Sequence, residues 1–287
     1  MNLSIIIVSY NVSSYLRQCL NSIYQSSKLE SFEIIVVDNH SHDNSCQMIK
    51  DEFPYVKLIQ NDKNIGYSKA VNIGLKTSKG NFICALNPDT LIRDDTFSIL
   101  LDYLIQHTNI GCIGPKILSS EGDLQLACKR SFPRPLTAFY KLVGLSNLFP
   151  KNRYFGKYNL TYLNENDIHS VDAISGSFML FPRLIINEVG ILDEDFFMFG
   201  EDLDYCYRIK QAGYDIIWAN DFEEDCAKTY SRNISDHINL GDISKIPNEQ
   251  IPASADIVIG GFPCQGFSIA NPNRKKTGMK DERNFLY

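Results

Sequence analysis

The fold is decided by the stretch Ser4-Ile5-Ile6-Ile7-Val8-Ser9, which is followed by Tyr10 and Asn11. A short run of β-branched residues without alternating polarity is typical of a strand buried on both faces of a parallel sheet. Residues 13–26 then carry Leu16, Leu20 and Ile23 at helical spacing. The N-terminus therefore predicts a β-strand followed by an amphipathic helix.

The same alternation of strands and helices continues along the chain. Strand-like stretches occupy residues 33–37, 56–60 and 81–86, and helix-like stretches occupy residues 46–53 and 69–76. Strands that alternate with helices at this spacing predict an α/β fold with a doubly wound, mostly parallel sheet.

Polar residues follow three of these strands. They are Ser9-Tyr10-Asn11, Asp38-Asn39 and Asn87-Pro88-Asp89. In doubly wound sheets ligands bind outside the carboxyl ends of the strands, where loops and helix N-termini converge. Any one of these clusters can be a simple turn that ends a strand. All three together favour a ligand site at this edge of the sheet.

Composition excludes several classes of protein. The chain has 287 residues, of which 44% are hydrophobic and 22% charged, and this excludes disorder, collagen and coiled coil as the main architecture. The length allows roughly two domains. The net charge of −6 does not indicate a polyanion binder, so any contact with nucleic acid would have to be local.

Cysteine usage and the apolar runs bear on the cellular setting. The eight cysteines include no Cys-x-x-Cys pair, which argues against a zinc ribbon or a disulfide framework and favours a reduced, cytoplasmic setting. The N-terminus lacks the pattern of a signal peptide, and no apolar run approaches the ~20 residues that span a bilayer. We therefore expect a cytoplasmic protein.

Residues 125–164 form a basic, aromatic-rich segment without Asp or Glu. Its seven cations are Lys129, Arg130, Arg134, Lys141, Lys151, Arg153 and Lys157. Such a surface can bind an anionic membrane face, a lipid-linked phosphate or a nucleic acid. A solvated basic face with its aromatic rings turned inward explains the pattern equally well.

Carboxylates crowd around an aromatic loop in residues 193–204. On a helix that begins near Glu201, Asp202 lies in the first turn, where the positive end of the helix dipole favours a negative charge. Such a carboxylate can accept a proton. Capping of the helix N-terminus is the alternative explanation.

The first 219 residues resemble family 2 glycosyltransferases of the rhamnosyltransferase-like branch, which have the GT-A fold. The motifs that carry the resemblance occur in the family's order at residues 5–11, 37–43, 64–72, 86–90, 175–177 and 200–202. Order and spacing together make the resemblance specific, whereas each motif alone would be weak.

The resemblance implies a site for a nucleotide-sugar donor. Three residues would hold the base and ribose, namely Tyr10, Asn11 and Asp38. Three others would shape the nucleotide-sugar loop, namely Asn64, Gly66 and Asn72.

The resemblance also implies the reaction. Asp89 would bind a divalent metal, Mg²⁺ or Mn²⁺, beside the diphosphate. Asp202, next to Glu201, would be the general base that deprotonates the acceptor hydroxyl as it inverts the anomeric carbon. The implied function is sugar transfer in cell-surface polysaccharide synthesis, with a lipid-linked saccharide acceptor at the inner membrane face and peripheral membrane association.

A second constellation begins near residue 220. Residues 256–259 predict a strand, and it delivers Cys264 on a loop rich in Gly and Pro, where a thiol can act as a nucleophile. For a lone Cys, a buried structural role is the alternative.

Residues 211–287 resemble DNA cytosine-5 methyltransferases through Pro263-Cys264-Gln265 and the residues around it. The resemblance implies that Cys264 attacks C6 of a flipped cytosine in DNA. It assigns Asp221, Phe222 and Asp242 to S-adenosylmethionine.

The order of the motifs predicts a glycosyltransferase domain at 1–219 and a truncated methyltransferase segment at 220–287. The family's glycine-rich first motif is replaced by glycosyltransferase sequence before Ala212, and its later motifs would follow Tyr287. We therefore expect no methyl transfer by this chain alone and less stable packing from about residue 221 onward. A chimeric open reading frame without activity is the third interpretation.

Overall fold

The structure is a computed structural model that describes residues 2–26 and 31–219. The methyltransferase-like residues Asp221, Phe222, Asp242 and Cys264, the predicted strand at 256–259 and the predicted weaker packing from residue 221 onward lie outside the described residues. The elements of the N-terminal half are β1 (Leu3–Ser9), α1 (Ser13–Gln25), β2 (Phe32–Asp38), α2 (Ser45–Glu52), β3 (Lys57–Gln60), α3 (Tyr67–Thr77), β4 (Phe82–Leu86), α4 (Thr96–Gln106) and β5 (Ile110–Pro115).

The second half of the described chain has shorter elements. A 3₁₀ turn at Leu126–Cys128 precedes β6 (Lys129–Arg130), α5 (Pro135–Leu142), α6 (Leu145–Leu148), β7 (His169–Val171), β8 (Ala173–Ile174), β9 (Phe178–Pro182), α7 (Arg183–Val189), α8 (Glu201–Gln211) and β10 (Asp215–Ala219). The predicted strands and helices of the first 86 residues, and the predicted helix start at Glu201, are confirmed.

One eight-stranded sheet forms the centre of the domain, in the order β3-β2-β1-β4-β9-β5-β10-β7. Strands β3, β2, β1 and β4 run parallel, as do β5 and β10. This confirms the predicted α/β fold with a mostly parallel sheet. All seven residues of β1 are buried, which is what its uninterrupted apolar run predicts.

An antiparallel strand interrupts the parallel order. β9 lies between β4 and β5 and runs antiparallel to both, and β7 pairs antiparallel with β10 at one edge. Four of the five residues of β9 are buried, so its sequence alone resembles that of the parallel strands. The direction of a strand depends on the connection through which the chain re-enters the sheet. The hydrophobic pattern of the strand itself does not reveal that connection.

Helices pack against the sheet through the faces that the sequence predicts. In α1 the buried residues are Leu16, Cys19, Leu20 and Ile23. In α3, Gly74 lies directly against Ile6 of β1, and a Cβ at this position would come within 2.4 Å of the Ile6 side chain. The glycine therefore lets α3 approach the strand whose end carries Tyr10 and Asn11.

Residues 2–26, 31–117 and 125–219 belong to one compact unit. Residues 118–124 fall outside that unit, and Leu118 and Leu124 form an antiparallel bridge with each other. Of the helices described, none combines the length and the apolar character needed to cross a bilayer. The six cysteines of the described ranges are free thiols, five of them buried.

Candidate active site

An open cavity of about 570 Å³ lies at the carboxyl ends of β1 and β4. Its lining combines polar, aromatic and aliphatic side chains. The lining residues are Val8, Tyr10, Val12, Tyr15, Asn39, Asn64, Gly66, Tyr67, Asn87, Pro88, Asp89, Phe197 and Met198. All three predicted polar clusters contribute to this lining, so the sheet edge gathers them as the sequence indicates.

The end of β1 supplies one exposed ring and one structural amide. Tyr10 lines the cavity, whereas Asn11 has a left-handed backbone with φ of 55°. The Asn11 Oδ1 accepts a hydrogen bond from the His42 N–H at 2.7 Å, and the Asn11 N–H donates to the Ser41 hydroxyl at 2.9 Å. Asn11 thus joins the loop after β1 to the loop after β2.

The two polar residues at the end of β2 have different roles. Asp38 is buried, and its Oδ2 accepts a hydrogen bond from the Ser41 N–H at 2.8 Å. Asn39 reaches the cavity, where its amide donates to the Gly66 carbonyl at 3.0 Å. The lining therefore includes Asn39 rather than Asp38.

Asn64, Gly66 and Tyr67 form the cavity wall before α3. The Asn64 Oδ1 accepts a hydrogen bond from the Gly66 N–H at 3.0 Å, and Gly66 has φ of 87°. A Cβ on Gly66 would lie 2.6 Å from the Phe197 carbonyl oxygen. That oxygen accepts a hydrogen bond from the Tyr67 N–H at 2.7 Å. Only glycine fits this position, because both the backbone angle and the space exclude a side chain.

Asn72 acts at a distance from the cavity. Its buried amide donates to the Leu192 carbonyl at 2.8 Å, and its Oδ1 accepts from the Leu192 N–H at 3.0 Å. A further hydrogen bond of 3.1 Å reaches Glu194. Asn72 therefore holds the segment that leads to Phe197 and Met198. These two residues line the cavity, so Asn72 shapes the cavity wall indirectly.

Asp89 stands on the turn after β4, exposed at the cavity. Within residues 2–26 and 31–219, no group of three or more His, Cys, Asp or Glu side chains could hold a metal ion. Mg²⁺ usually binds through one or two carboxylates, substrate phosphates and water rather than in an all-protein cage. A single accessible carboxylate at an open cavity fits that pattern.

An ion pair between Arg130 and Asp202 lies at the start of α8. The Arg130 guanidinium contacts the Asp202 Oδ2, and the side chains are only 13% and 12% exposed. The Gly176 N–H donates to the same oxygen at 2.9 Å, and Arg130 also donates to the Ile174 carbonyl at 3.0 Å. The Leu203 N–H donates to the other oxygen, Oδ1, at 2.7 Å. These three donors fix Asp202 in one orientation, and a carboxylate with about four lone-pair sites still has room for one more donor.

Glu201 is buried beside Asp202, and its Oε2 has no hydrogen-bond partner among the residues described. Burial is the main cause that raises the pKa of Glu201, and the charge of Asp202 adds to it. A backbone hydrogen bond and Arg130 act in the opposite direction. The two adjacent acids therefore have different surroundings, one paired and one not.

Tyr67 connects the cavity to the acid pair. Its ring lines the cavity, and its hydroxyl donates to the Gly176 carbonyl at 3.3 Å. Gly176 in turn donates its N–H to Asp202. Burial raises the pKa of Tyr67, and the charges of Glu201 and Asp202 raise it further, so the hydroxyl stays protonated as a donor.

Arg130 is a site residue that sequence reasoning missed. It was one of seven cations in the basic segment, and neither Arg130 nor Lys129 lies on an exposed surface. Lys129 is buried with its Nζ 4.2 Å from the centre of the Trp218 ring. No local signal separates these two cations from the other five. Tyr67 lies within the motif at residues 64–72, but its role depends on Gly176, which is remote in sequence.

The described fold is that of GT-A glycosyltransferases. A mannosyltransferase from Pyrobaculum calidifontis, solved with GDP-Man and Mn²⁺, matches with a TM-score of 0.55 at 17% identity, over 77% of this chain and 55% of its own. The family model for glycosyl transferase family 2 matches residues 4–182. The chain therefore belongs to glycosyl transferase family 2, as its motifs predict.

Curated relatives extend the similarity past the family match. A low-salt glycan biosynthesis hexosyltransferase of Haloferax volcanii is 30% identical over 221 residues, 75% of this chain and 64% of its own length. An N-acetylglucosaminyl-diphospho-decaprenol L-rhamnosyltransferase of Mycobacterium tuberculosis is 26% identical over 223 residues, 74% of this chain and 71% of its own. The chain thus spans about two thirds of these relatives.

A different family matches the C-terminal part. The model for C-5 cytosine-specific DNA methylases matches residues 207–287. A type II methyltransferase of Neisseria gonorrhoeae is 44% identical over 78 residues, 27% of this chain and 20% of its own length. The predicted methyltransferase-like segment is confirmed as a similarity.

We predict that Arg130→Met lowers the free energy of unfolding by about 3 kcal/mol, because it leaves the buried Asp202 carboxylate unpaired. The Arg130→Met/Asp202→Asn double variant should recover most of that loss. Urea titration at neutral pH measures both.

The exposed pair Arg17–Glu52, whose side chains are 43% and 44% exposed, provides the matched control. Arg17→Met should cost less than about 1 kcal/mol. Equal losses at the two sites would contradict the buried pairing.

We also predict that Glu201→Gln stabilises the protein at neutral pH. A carboxyl with a raised pKa costs folding free energy once it is ionised, and the amide removes that cost. The gain should grow as the pH rises above the pKa of an unfolded Glu, about 4.3, and vanish below it. Unfolding titrations across pH measure it, with Glu188→Gln, an exposed acid, as the control. A gain that is independent of pH would exclude this explanation.

Proposed function

We propose that residues 1–219 form an inverting, metal-dependent glycosyltransferase domain that moves a sugar from a nucleotide sugar to a hydroxyl acceptor in cell-surface polysaccharide synthesis. The observation that carries the proposal is a chain of hydrogen bonds from the cavity-lining Tyr67, through Gly176, to Asp202. A donor in the cavity and a base at Asp202 are the two parts that this reaction needs.

The strand-end residues would bind the nucleotide. The Tyr10 ring offers an exposed stacking surface, and the Asn39 and Asn64 amides at the cavity wall supply polar partners. Gly66 would be part of this wall, and Asn11, Asp38 and Asn72 would support it through the hydrogen bonds described above. This divides the predicted binding residues into those that contact the donor and those that position them.

Asp89 would hold the divalent metal together with the diphosphate. A bound divalent cation offsets the negative charge that builds on the leaving diphosphate. The exposed Asp89 carboxylate lies at the end of β4, where the turn from Asn87 is held by a hydrogen bond of 3.0 Å to the Ser177 carbonyl. The Asp89 carboxylate therefore lies on a turn that a backbone hydrogen bond holds in place.

Asp202 would accept the proton of the acceptor hydroxyl as its oxygen attacks the anomeric carbon. The new glycosidic bond forms on the face opposite the bond to the diphosphate, which leaves with its electron pair, so the anomeric configuration inverts. Arg130 and the Gly176 N–H hold the carboxylate during the attack. Glu201 would offer its unpartnered oxygen to a second hydroxyl of a bound sugar.

For the acceptor, we propose a lipid-linked saccharide at the inner membrane face. The name of the mycobacterial relative describes such an acceptor, and this similarity supports the proposal. A protein acting there would associate with the membrane from the cytoplasmic side.

We predict that Asp202→Asn lowers kcat for sugar transfer by roughly 100- to 10,000-fold, the range for loss of a general base. Asp89→Asn should abolish the stimulation by Mn²⁺. The measurement is release of nucleoside diphosphate from a panel of nucleotide sugars, with and without Mn²⁺. Asp102→Asn, on the exposed face of α4, is the control.

Failure of the purified protein to bind any nucleotide sugar would rule out this function. Full activity of Asp202→Asn would reassign the base to another residue.

The second candidate function is methyl transfer to cytosine in DNA. The 44% identity to a type II methyltransferase favours it, and Cys264, Asp221, Phe222 and Asp242 are its proposed residues. We propose that residues 220–287 are a segment of this kind that lacks the family's glycine-rich first motif. The positions where a glycine-rich cofactor loop should precede it belong to α8, whose Tyr205, Cys206 and Ile209 are buried in the glycosyltransferase domain.

We therefore predict no covalent trapping of DNA that carries a mechanism-based cytosine analogue, in the presence of S-adenosylmethionine. The full chain is incubated with this DNA and separated under denaturing conditions, with Cys264→Ser alongside. A covalent complex that Cys264→Ser abolishes would establish the methyltransferase function. Absence of the complex leaves the glycosyltransferase as the activity of this chain, or a chimera without activity if sugar transfer also fails.

A further inference from the structure

Helix α5 presents an apolar face to solvent. Leu136, Phe139 and Val143 lie three and four residues apart, which places them on one side of the helix. All three are about half exposed, and the neighbouring Leu142 is 85% exposed. In α6, Leu148 is 70% exposed. Large aliphatic side chains that cluster on adjoining short helices and face water indicate an interaction surface.

Exposed cations lie close to this apolar face in the sequence. Lys129 is buried and Arg130 is largely covered in its ion pair with Asp202, whereas the other five cations of the basic segment are exposed. Within residues 125–164 no acidic side chain offsets them, although the whole chain carries a net charge of −6. Positive charge is therefore segregated here from an acidic remainder.

Aromatic packing gives the two helices a fixed arrangement. The Tyr140 ring contacts the Phe155 ring with centroids 5.0 Å apart, and Phe155 contacts Phe149 at 5.8 Å. The Lys141 Nζ lies 4.8 Å from the centre of the Tyr158 ring. These rings are used to pack against one another and against a cation, while the leucines remain exposed.

We propose that the α5–α6 surface, defined by Leu136, Phe139, Leu142, Leu148, Lys141 and Lys151, docks on an anionic lipid bilayer. Leucines that enter the acyl boundary, with cations that reach the headgroups, are the pattern of interfacial membrane helices. The positive charge of the surface complements anionic lipids. The reason for such docking, access to a lipid-linked acceptor, rests on the proposed function. The docking itself does not depend on sugar transfer.

A nucleic acid is the other polyanion that cations can attract. Proteins that bind single strands present free aromatic rings on which bases stack. Here Tyr140 and Phe149 pack against Phe155 with perpendicular or tilted rings, and the most exposed apolar side chain is that of Leu142. The exposed Tyr154 is of a residue type that is also common at membrane interfaces. The surface therefore fits a bilayer better than a nucleic acid.

The test is co-sedimentation of the full chain with extruded vesicles, without a nucleotide sugar. We expect binding to vesicles of mixed phosphatidylcholine and phosphatidylglycerol, weak binding to pure phosphatidylcholine, and a decline with added salt. Lys141→Gln/Lys151→Gln should weaken binding about 30-fold, since each cation near an anionic surface contributes a factor of about five. Leu142→Ser/Leu148→Ser should weaken it at least about tenfold.

Matched controls lie elsewhere on the same domain. Lys50→Gln/Lys76→Gln removes the same charge from exposed positions of α2 and α3, and Ile105→Ser/Leu184→Ser removes exposed apolar groups from α4 and α7. Neither pair should change vesicle binding by more than about twofold. Thermal unfolding of all four variants checks that each is folded.

The outcomes separate docking from catalysis. Loss of vesicle binding in the two α5–α6 variants, with unchanged release of nucleoside diphosphate in solution, supports the proposal. Absence of vesicle binding, or equal losses in the controls, overturns it even if sugar transfer is intact. The proposal is also overturned if the protein binds a DNA duplex or single strand but not vesicles, and if Lys141→Gln/Lys151→Gln abolishes the DNA binding. That result would indicate a nucleic-acid surface.

Discussion

The site depends on the burial of β1 on both faces and on both edges. β1 pairs in parallel with β2 on one side and with β4 on the other, so the three strands must end at the same edge of the sheet. Tyr10, Asn39 and Asp89 follow these three ends within a few residues, and all three line the cavity. A slip in the pairing of β1 would therefore move the nucleotide-facing residues and the acidic turn apart together.

Asp202 depends on a different constraint, because the groups that hold it come from two parts of the chain that are distant from it in sequence. Arg130 reaches Asp202 from β6, and Gly176 reaches it from the turn between β8 and β9. β6 and β8 pair only with each other in a separate small sheet, which brings Arg130 and Ile174 together. The position of the proposed base is thus set by tertiary packing, whereas the position of the donor wall is set by strand order.

This difference explains which parts of the site the sequence could predict. Tyr10, Asn64 and Asp89 follow from local rules, since each lies in a polar cluster or turn beside a recognisable strand or helix. Arg130 does not, because its neighbours in sequence are equally basic and only the fold pairs it with Asp202. The antiparallel direction of β9 also cannot be predicted from the sequence, because its buried apolar residues are compatible with either direction.

The segment matched by the methylase model begins inside the glycosyltransferase domain, and the packing shows why the two can share it. From Tyr207 the chain completes α8 and then forms β10, which pairs with β5 on one side and β7 on the other. Trp218 is fully buried there, under Lys129. A helix followed by a buried strand is a unit that any doubly wound sheet can use. A junction before Asp215 would open the sheet between β5 and β7, whereas one after Ala219 leaves both ladders intact. The proposed boundary at residue 219 is therefore the first position at which the glycosyltransferase sheet is closed.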